Sequence, residues 1–408
     1  MAQYNILMNR WNGSSYDSLL PKNTLFGTSA PTTRTVGIKG QFYVTSGGAV
    51  YACIAVSGST YTWRLTSGIL PQLEVTTNST DAATVTVTDG TTTLTGVFSN
   101  QKCSFSLPNL GTWTVSATLG GNLVTKTVSV DTVGLFSVEL IPVSNVLNDN
   151  SWETIRSISD DGLGANYWSV GDAKKIRMKG TVGSVALDND YWVFILGFNH
   201  NANREGNNRI HFQFGRTAQG YTATNGICLV DGSYNNYTSS ATAFTMNTSN
   251  TNVGGWNNSH MRNAILGGIS DPIKASGNTF VACLPSDLRA VMKTRTTYTS
   301  AGDMSNTIQS TTDYCWLQAE VEIFGTTIYV ATIEANYTTQ YQYYASGNSK
   351  VRYKHNATTT AAYWWERSPS NAGSGGFCVV TSDGTASGVG PASNSYGLAP
   401  CFCVYANL

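Results

Sequence analysis

The sequence predicts a mostly β, multidomain protein, and three observations carry that reading. Its polar residues are mainly Ser, Thr, Asn and Gly: charged residues make up only 12% of the 408, against 41% hydrophobic and 11% aromatic. That balance disfavours exposed helices and favours strands and turns. Apolar and polar residues alternate with period two through many short runs. Asn-Gly, Asp-Gly and Gly-Gly pairs then interrupt those runs where hairpin turns would fall.

The apolar content can offset ordering entropy, so the low charge does not signal disorder. A formal net charge of +0 offers no footprint for nucleic acid or an anionic membrane, and neither partner is expected. No run reaches the roughly 20 apolar residues of a membrane-spanning helix, so no membrane insertion is expected. The opening residues, MAQYNILMNRWNGSSYDSLLPKN, lack the basic, apolar and small-residue succession of a secretory signal, and synthesis in a cytoplasm is expected.

Three segments follow one another. Residues 1–70 read as a small β unit with turn signals at Asn12-Gly13 and Gly47-Gly48. The unit holds few large apolar residues, so it is expected to dock on a partner or to oligomerise. Residues 71–142 read as a small antiparallel sandwich serving as a spacer, with turns at Asp89-Gly90 and Gly120-Gly121. Phe105, Leu107, Trp113, Val115 and Val128 are its expected inward side chains.

Residues 143–408 have a mixed, α+β pattern. YWVFILGFNHN reads as a central buried strand, followed by HFQFG. In GGWNNSHMRNAILGGI, Asn258 or Ser259 would cap a short helix with Met261, Ile265 and Leu266 on one face. LPSDLRAVMKT starts a second helix, with Pro285 in its first turn and Leu288, Val291 and Met292 inward. YCWLQAEVEIFG reads as strand, and Trp364, Trp365, Phe377, Val379, Phe402 and Val404 are the expected core of the closing strands.

An ordered series of blocks in this third segment resembles a known family. It comprises Ser151-Trp152, Trp168-Ser169-Val170-Gly171-Asp172, Gly197-Phe198-Asn199-His200, Gly254-Gly255-Trp256-Asn257-Asn258-Ser259-His260-Met261-Arg262, Leu284-Pro285, Glu320 to Gly325, Trp364 to Pro369, and Gly397 to Phe402. The series resembles an uncharacterised lectin-like domain family common in bacterial prophages, over about residues 145–404. That resemblance implies a C-type-lectin-like fold, as used by phage tropism determinants and formylglycine-generating enzymes. The family usually has Trp-Leu-Arg-Ser-Pro where this chain has Trp365-Glu366-Arg367-Ser368-Pro369; the change is expected to touch a surface position only.

The first segment is similar to attachment regions of phage tail and fibre proteins. The second resembles immunoglobulin-like or carboxypeptidase-regulatory-like modules of virion proteins. Together these likenesses imply a bacteriophage structural adhesin, a tail-fibre or receptor-binding protein and not an enzyme. It would be released by lysis as part of the virion and bind a bacterial surface receptor, a carbohydrate, non-covalently. They further imply other virion proteins as partners of the N-terminal unit, and a homotrimer. A head fibre or capsid decoration protein is one alternative, and a surface glycan hydrolase is another.

The candidate site residues divide by type. The 8 cysteines are scattered through apolar runs and are expected to be buried free thiols. His200 and His211 could share a metal from neighbouring strands, but their spacing fits no zinc pattern and a structural role is expected. Asp160-Asp161, Asp188-Asn189-Asp190 and Glu320/Glu322 could offer oxygen ligands to calcium, yet no Glu-Pro-Asn-type triplet accompanies them. Glu320 and Glu322 would share a strand face like a glycosidase pair. Cys401 and Cys403 lack the spacing of a redox pair. No catalytic residue, metal or cofactor is therefore assigned. Ligand contacts are assigned to Tyr341, Tyr343 and Tyr344 in YQYYASGNSKVRYKHN, where rigid rings adjoin small polar residues. Asn371 and Ser374 in SNAGSGG, with Asn394 and Tyr396 in SGVGPASNSYG, complete the set.

Overall fold

A computed structural model describes residues 9–11, 16–18, 24–46, 49–67, 70–216, 226–231 and 244–404. The chain is mostly β, with 43% strand and 16% helix. It divides into two compact units, Met1–Val143 and Ser144–Leu408. Among the described residues, no helix is long and apolar enough to cross a membrane.

In the first unit, Asn9–Trp11 pairs antiparallel with Tyr16–Ser18. A four-stranded sheet follows in the order Leu25–Gly27, Phe42–Thr45, Val50–Ser57, Thr60–Ser67. Its small core is Ala49, Tyr51, Cys53, Trp63 and Leu65, and the Trp63 indole N–H donates to the Thr35 carbonyl at 3.0 Å. The turn signals Asn12-Gly13 and Gly47-Gly48 lie outside the described residues.

Residues 72–140 form a sandwich. One sheet is Lys102–Ser106, Gln72–Thr77, Leu135–Leu140; the other is Asn122–Val130, Gly111–Leu119, Thr84–Thr88, Thr93–Val97. Side chains of alternate residues from both sheets, including Val75, Val87, Phe105 and Trp113, meet in one core. Leu107 and Val115 are also in that core, and Val128 packs against it half-buried. Gly120 and Gly121 take φ of 56° and 80°, the left-handed pair that a two-residue hairpin turn needs. One pair departs from the antiparallel expectation: Leu135–Leu140 runs parallel to Gln72–Thr77. Residues 131–134 carry the chain from one sheet to the other, so the last strand arrives in the same direction as the first.

The second unit is built on a sheet ordered Ala173–Val182, Val185–Phe198, Ile210–Arg216, Gly226–Cys228, Arg352–Lys354, Ala357–Ala362. Cys401–Val404 joins it through Ile210–Arg216 and Met292–Lys293. Val185–Phe198 is paired on both edges, and Val193 to Leu196 are consecutively buried. The continuous apolar run arises because both faces are covered. On one face Trp152 packs edge-on against Phe212 and Phe402, with ring centroids 5.3 and 5.9 Å away. On the other, Tyr343 lies 4.6 Å from Phe194.

Trp152 belongs to a helix, Trp152–Asp160, that the sequence reading did not assign. The Ser151 hydroxyl accepts the Thr154 N–H at 3.0 Å, capping its first turn. Met261, Ile265 and Leu266 are buried along one wide helical turn, Met261–Leu266, preceded by His260 rather than an Asn or Ser cap. Ser286–Val291 is helical directly after Pro285 and buries Leu288 and Val291, while Met292 already belongs to a strand. The segment read as strand at Glu320 is instead the helix Glu320–Phe324. Its start is fixed by the Glu322 carboxylate accepting the Ala319 N–H at 2.9 Å, and its end by Gly325 at φ 79°.

A three-stranded sheet, Trp364–Pro369, Gly376–Val380 and Ala386–Pro391, closes the unit. Trp364, Trp365, Phe377, Val379, Phe402 and Val404 are at most 1% exposed. All eight cysteines are free, and each except half-buried Cys103 is buried.

Candidate functional site

The tyrosine-rich segment is scaffold. Tyr341, Tyr343 and Tyr344 are 0%, 4% and 2% exposed, which corrects their assignment as ligand contacts. They belong to the short turn of helix Gln342–Ala345 and its preceding residue. The Tyr344 hydroxyl donates to Gln213 Oε1 at 2.7 Å. The Tyr341 hydroxyl accepts from Arg295 Nη1 at 2.8 Å and lies 3.0 Å from His211 Nδ1. Each ring fills the core and each of these two hydroxyls meets a buried polar partner, which is how tyrosine is normally accommodated inside.

Around Tyr341 lies a buried ionic centre. The Glu322 carboxylate accepts from Arg295 Nη2 at 2.5 Å, from Arg367 Nη1 and Nη2 at 2.5 and 2.9 Å, and from the Thr338 hydroxyl at 2.9 Å. Arg295 also donates to Glu205 at 2.9 Å. Burial pushes the Glu322 carboxyl up, but the two guanidiniums outweigh it and hold the group well below the usual range. His200 stacks on Tyr341 at 3.7 Å and lies 5.6 Å from His211. Burial lowers His200 to about 4 and His211 well below 6.5, so both rings are neutral near pH 7. Glu322 is thus spoken for, and it faces guanidiniums rather than a sugar or calcium.

Three of the other candidate oxygen ligands are also engaged. Asp188 and Asp190 pair with Arg177 at 2.6 and 3.3 Å, and Asp160 pairs with Arg156. Burial pushes the Cys403 thiol to about 12 and Cys401 well above 9.0, which keeps both protonated and unreactive. Glu366 contradicts its expected surface position, since it is 0% exposed. The strand Trp364–Pro369 is buried along its whole length, so no position on it reaches solvent.

The glycine-rich loops, in contrast, form a surface cavity of about 280 Å³. It is lined by Asn250, Ser370, Ala372, Pro391 and five glycines, among them Gly373, Gly376 and Gly390. Close approach of two strands requires glycine here: a Cβ on Gly376 would sit 2.7 Å from the Gly390 carbonyl, and one on Gly390 would sit 2.7 Å from the Phe377 carbonyl. The absence of side chains leaves the space open, and backbone forms its walls.

One buried residue holds this loop in shape. Asn252 Nδ2 donates to the carbonyls of Ser370, Gly373 and Gly376 at 3.1, 2.9 and 2.7 Å. Its Oδ1 accepts the Asp303 N–H at 2.8 Å, and its own N–H donates to the Ser374 carbonyl at 2.6 Å. Asn250 Oδ1 accepts from Ser393 N–H and Oγ at 3.1 and 2.6 Å, which ties the opposite rim. Asn371 and Ser374 are exposed on the loop that forms one wall. Asn394 is half-buried and its N–H donates to the carbonyl of lining residue Pro391 at 2.9 Å. Tyr396 is buried, 3% exposed, edge-on to Trp365 at 4.6 Å; its assignment as a ligand contact is also corrected. No lining residue titrates near neutral pH, so the cavity offers hydrogen bonds and apolar contact rather than acid–base groups.

Residues 234–406 match DUF6273, a domain of unknown function. No curated protein matches the chain. The DUF6273 match contains every cavity-lining residue together with Asn252, Glu322, Glu366 and Arg367. The clamp Asn252 and the rim residue Asn250 were missed from sequence because their partners lie more than 100 residues away.

Proposed function

We propose that the chain is a bacteriophage virion adhesin whose second unit binds bacterial surface carbohydrate without cleaving it. The site is the cavity between the 370–376 loop and Pro391. The observation that carries this reading is the cavity's lining: backbone, Ser and Asn groups held by a buried clamp, with no titratable side chain. Fixed amides and hydroxyls suit sugar hydroxyls, while Ala372 and Pro391 suit a sugar's apolar face. The resemblance of the chain's blocks to prophage-associated lectin-like domains supports the virion setting. So does the order of a small attachment unit, a sandwich spacer and a recognition unit. On this reading, residues 1–70 attach to other virion proteins and the adhesin is a trimer.

Incubating the full chain with a panel of bacterial cell-wall polysaccharides tests the proposal. Saturable binding to one of them without new reducing ends is expected. Release of reducing ends would establish a hydrolase instead, and absence of binding across the panel would remove the adhesin reading. Immunogold labelling of virions should then place the protein on the tail; capsid labelling would make it a head fibre or decoration protein.

A further inference from the structure

Beneath the cavity, the same strands carry a second group of side chains that the binding role does not use. Glu366 is fully buried, and neither of its carboxylate oxygens has a hydrogen-bond partner. Pairing of Trp365 with Val379 brings Cys378, also fully buried, alongside it on the facing strand. Glu320, buried at the start of the Glu320–Phe324 helix, completes the group. One donor atom from each of Glu320, Glu366 and Cys378 lies within 4.8 Å of the other two. Backbone N–H groups of Ile328, Tyr329 and Val330 aim the Glu320 carboxylate, donating to Oε2 at 2.6, 2.9 and 3.3 Å. Its other oxygen accepts only the Tyr329 N–H, at 3.1 Å, and keeps a lone pair open.

A buried carboxyl with no partner is costly to ionise, and proteins meet that cost by keeping it protonated or with a hydrogen bond, a counter-charge or a metal. The adjacent cation, Arg367, is committed to Glu322. We propose that Glu320, Glu366 and Cys378 bind one divalent transition-metal ion of the zinc class. Two carboxylates and one thiolate give a mixed hard and soft donor set, which suits zinc or cobalt and disfavours calcium and magnesium. An ion centred among atoms up to 4.8 Å apart sits about 2.8 Å from each, so bonds of about 2.0–2.3 Å require each side chain to close by about 0.5–0.8 Å. Binding displaces the Cys378 thiol proton, and any proton on Glu366, to solvent. The complex of two carboxylates, one thiolate and the dication then carries a single net negative charge. The ion joins the 328–330 segment, through Glu320, to the two strands whose ends form the cavity wall.

The full chain, expressed in medium supplemented with zinc or with cobalt(II) so that metal is present during folding, provides the test. About one zinc per chain by elemental analysis is expected, and the cobalt form should show a thiolate-to-cobalt charge-transfer band in the near ultraviolet. E366Q and E366L should each lose stoichiometric metal while keeping the wild-type circular dichroism spectrum, and C378A should lose the band. A wild-type chain that folds without bound metal would overturn the proposal. Cobalt bound without a thiolate band would do so too, as would E366Q or E366L retaining one metal per chain.

Discussion

The tyrosine segment at 341–344 and the glycine loop at 370–376 belong to the same unit and exchange the roles their compositions suggest. The tyrosines have the look of a recognition loop, yet their rings fill the core and the hydroxyls of Tyr341 and Tyr344 serve buried charges and amides. The loop has almost no side chains, yet it walls the cavity and is held by three side-chain hydrogen bonds and one backbone hydrogen bond from one buried asparagine. Aromatic content here reports scaffold, whereas open backbone walls the cavity. The consequence is that stability and binding should separate by position.

The largest stability effect is expected at the ionic centre. Glu322→Ala leaves Arg295 and Arg367 buried without their shared carboxylate, and removing one partner of such a group costs about 3–5 kcal/mol. Chemical denaturation should register that loss, with Arg367→Ala giving a comparable result. A shift near zero would break the comparison, because the tyrosine side of the molecule would not then be scaffold.

An acid effect comes next. His200 is lowered to about 4 in the folded protein from 6.5. The unfolded chain therefore takes up a proton between pH 6.5 and 4 that the folded chain refuses. Stability is complete above about pH 6.5 and falls as pH drops through that window, by about 3 kcal/mol for this one group. His200→Gln should remove that part of the slope, so the difference between wild type and variant across pH 7 to 4 is the readout. Parallel curves for the two proteins would place the histidine's titration at its ordinary value.

A smaller effect is expected at Tyr344. Tyr344→Phe removes the donor to Gln213, which still accepts from Arg352 Nη2 at 2.5 Å, so the cost should be about 1 kcal/mol. Polysaccharide binding by the folded variant should stay at the wild-type level. Loss of binding without loss of stability would return the tyrosines to the site.

Much of the scaffold is legible in the sequence. Period-two alternation marks the sandwich, the run Tyr191–Phe198 marks a strand covered on both faces, and Trp364, Trp365 and Phe402 read as core because they are core. The failures share a physical cause, which is that burial of polar groups depends on partners far away in the chain. Glu320 and Glu322 alternate as they would in a strand, but Arg295, Arg367 and the cap at Ala319 fix a helical turn there. Glu366 is a charged residue followed directly by Arg367 and gives no local sign of burial. Asn252 is one asparagine among many, and only the folded chain brings Ser370, Gly373 and Gly376 to it. The loops were legible as exposed, shaped backbone because glycine, serine and asparagine stand between apolar islands, and residues of these loops line the cavity.

The most direct test uses the cavity itself. A Cβ on Gly373 would meet no atom within 4 Å, so Gly373→Leu adds a side chain at the cavity without a backbone clash, and its effect on stability should stay within about 0.5 kcal/mol. Polysaccharide binding is then measured for wild type and Gly373→Leu at matched folded concentration. Gly373→Leu is expected to lose binding while its denaturation midpoint is unchanged. Wild-type affinity in that variant would contradict it and place recognition elsewhere on the molecule.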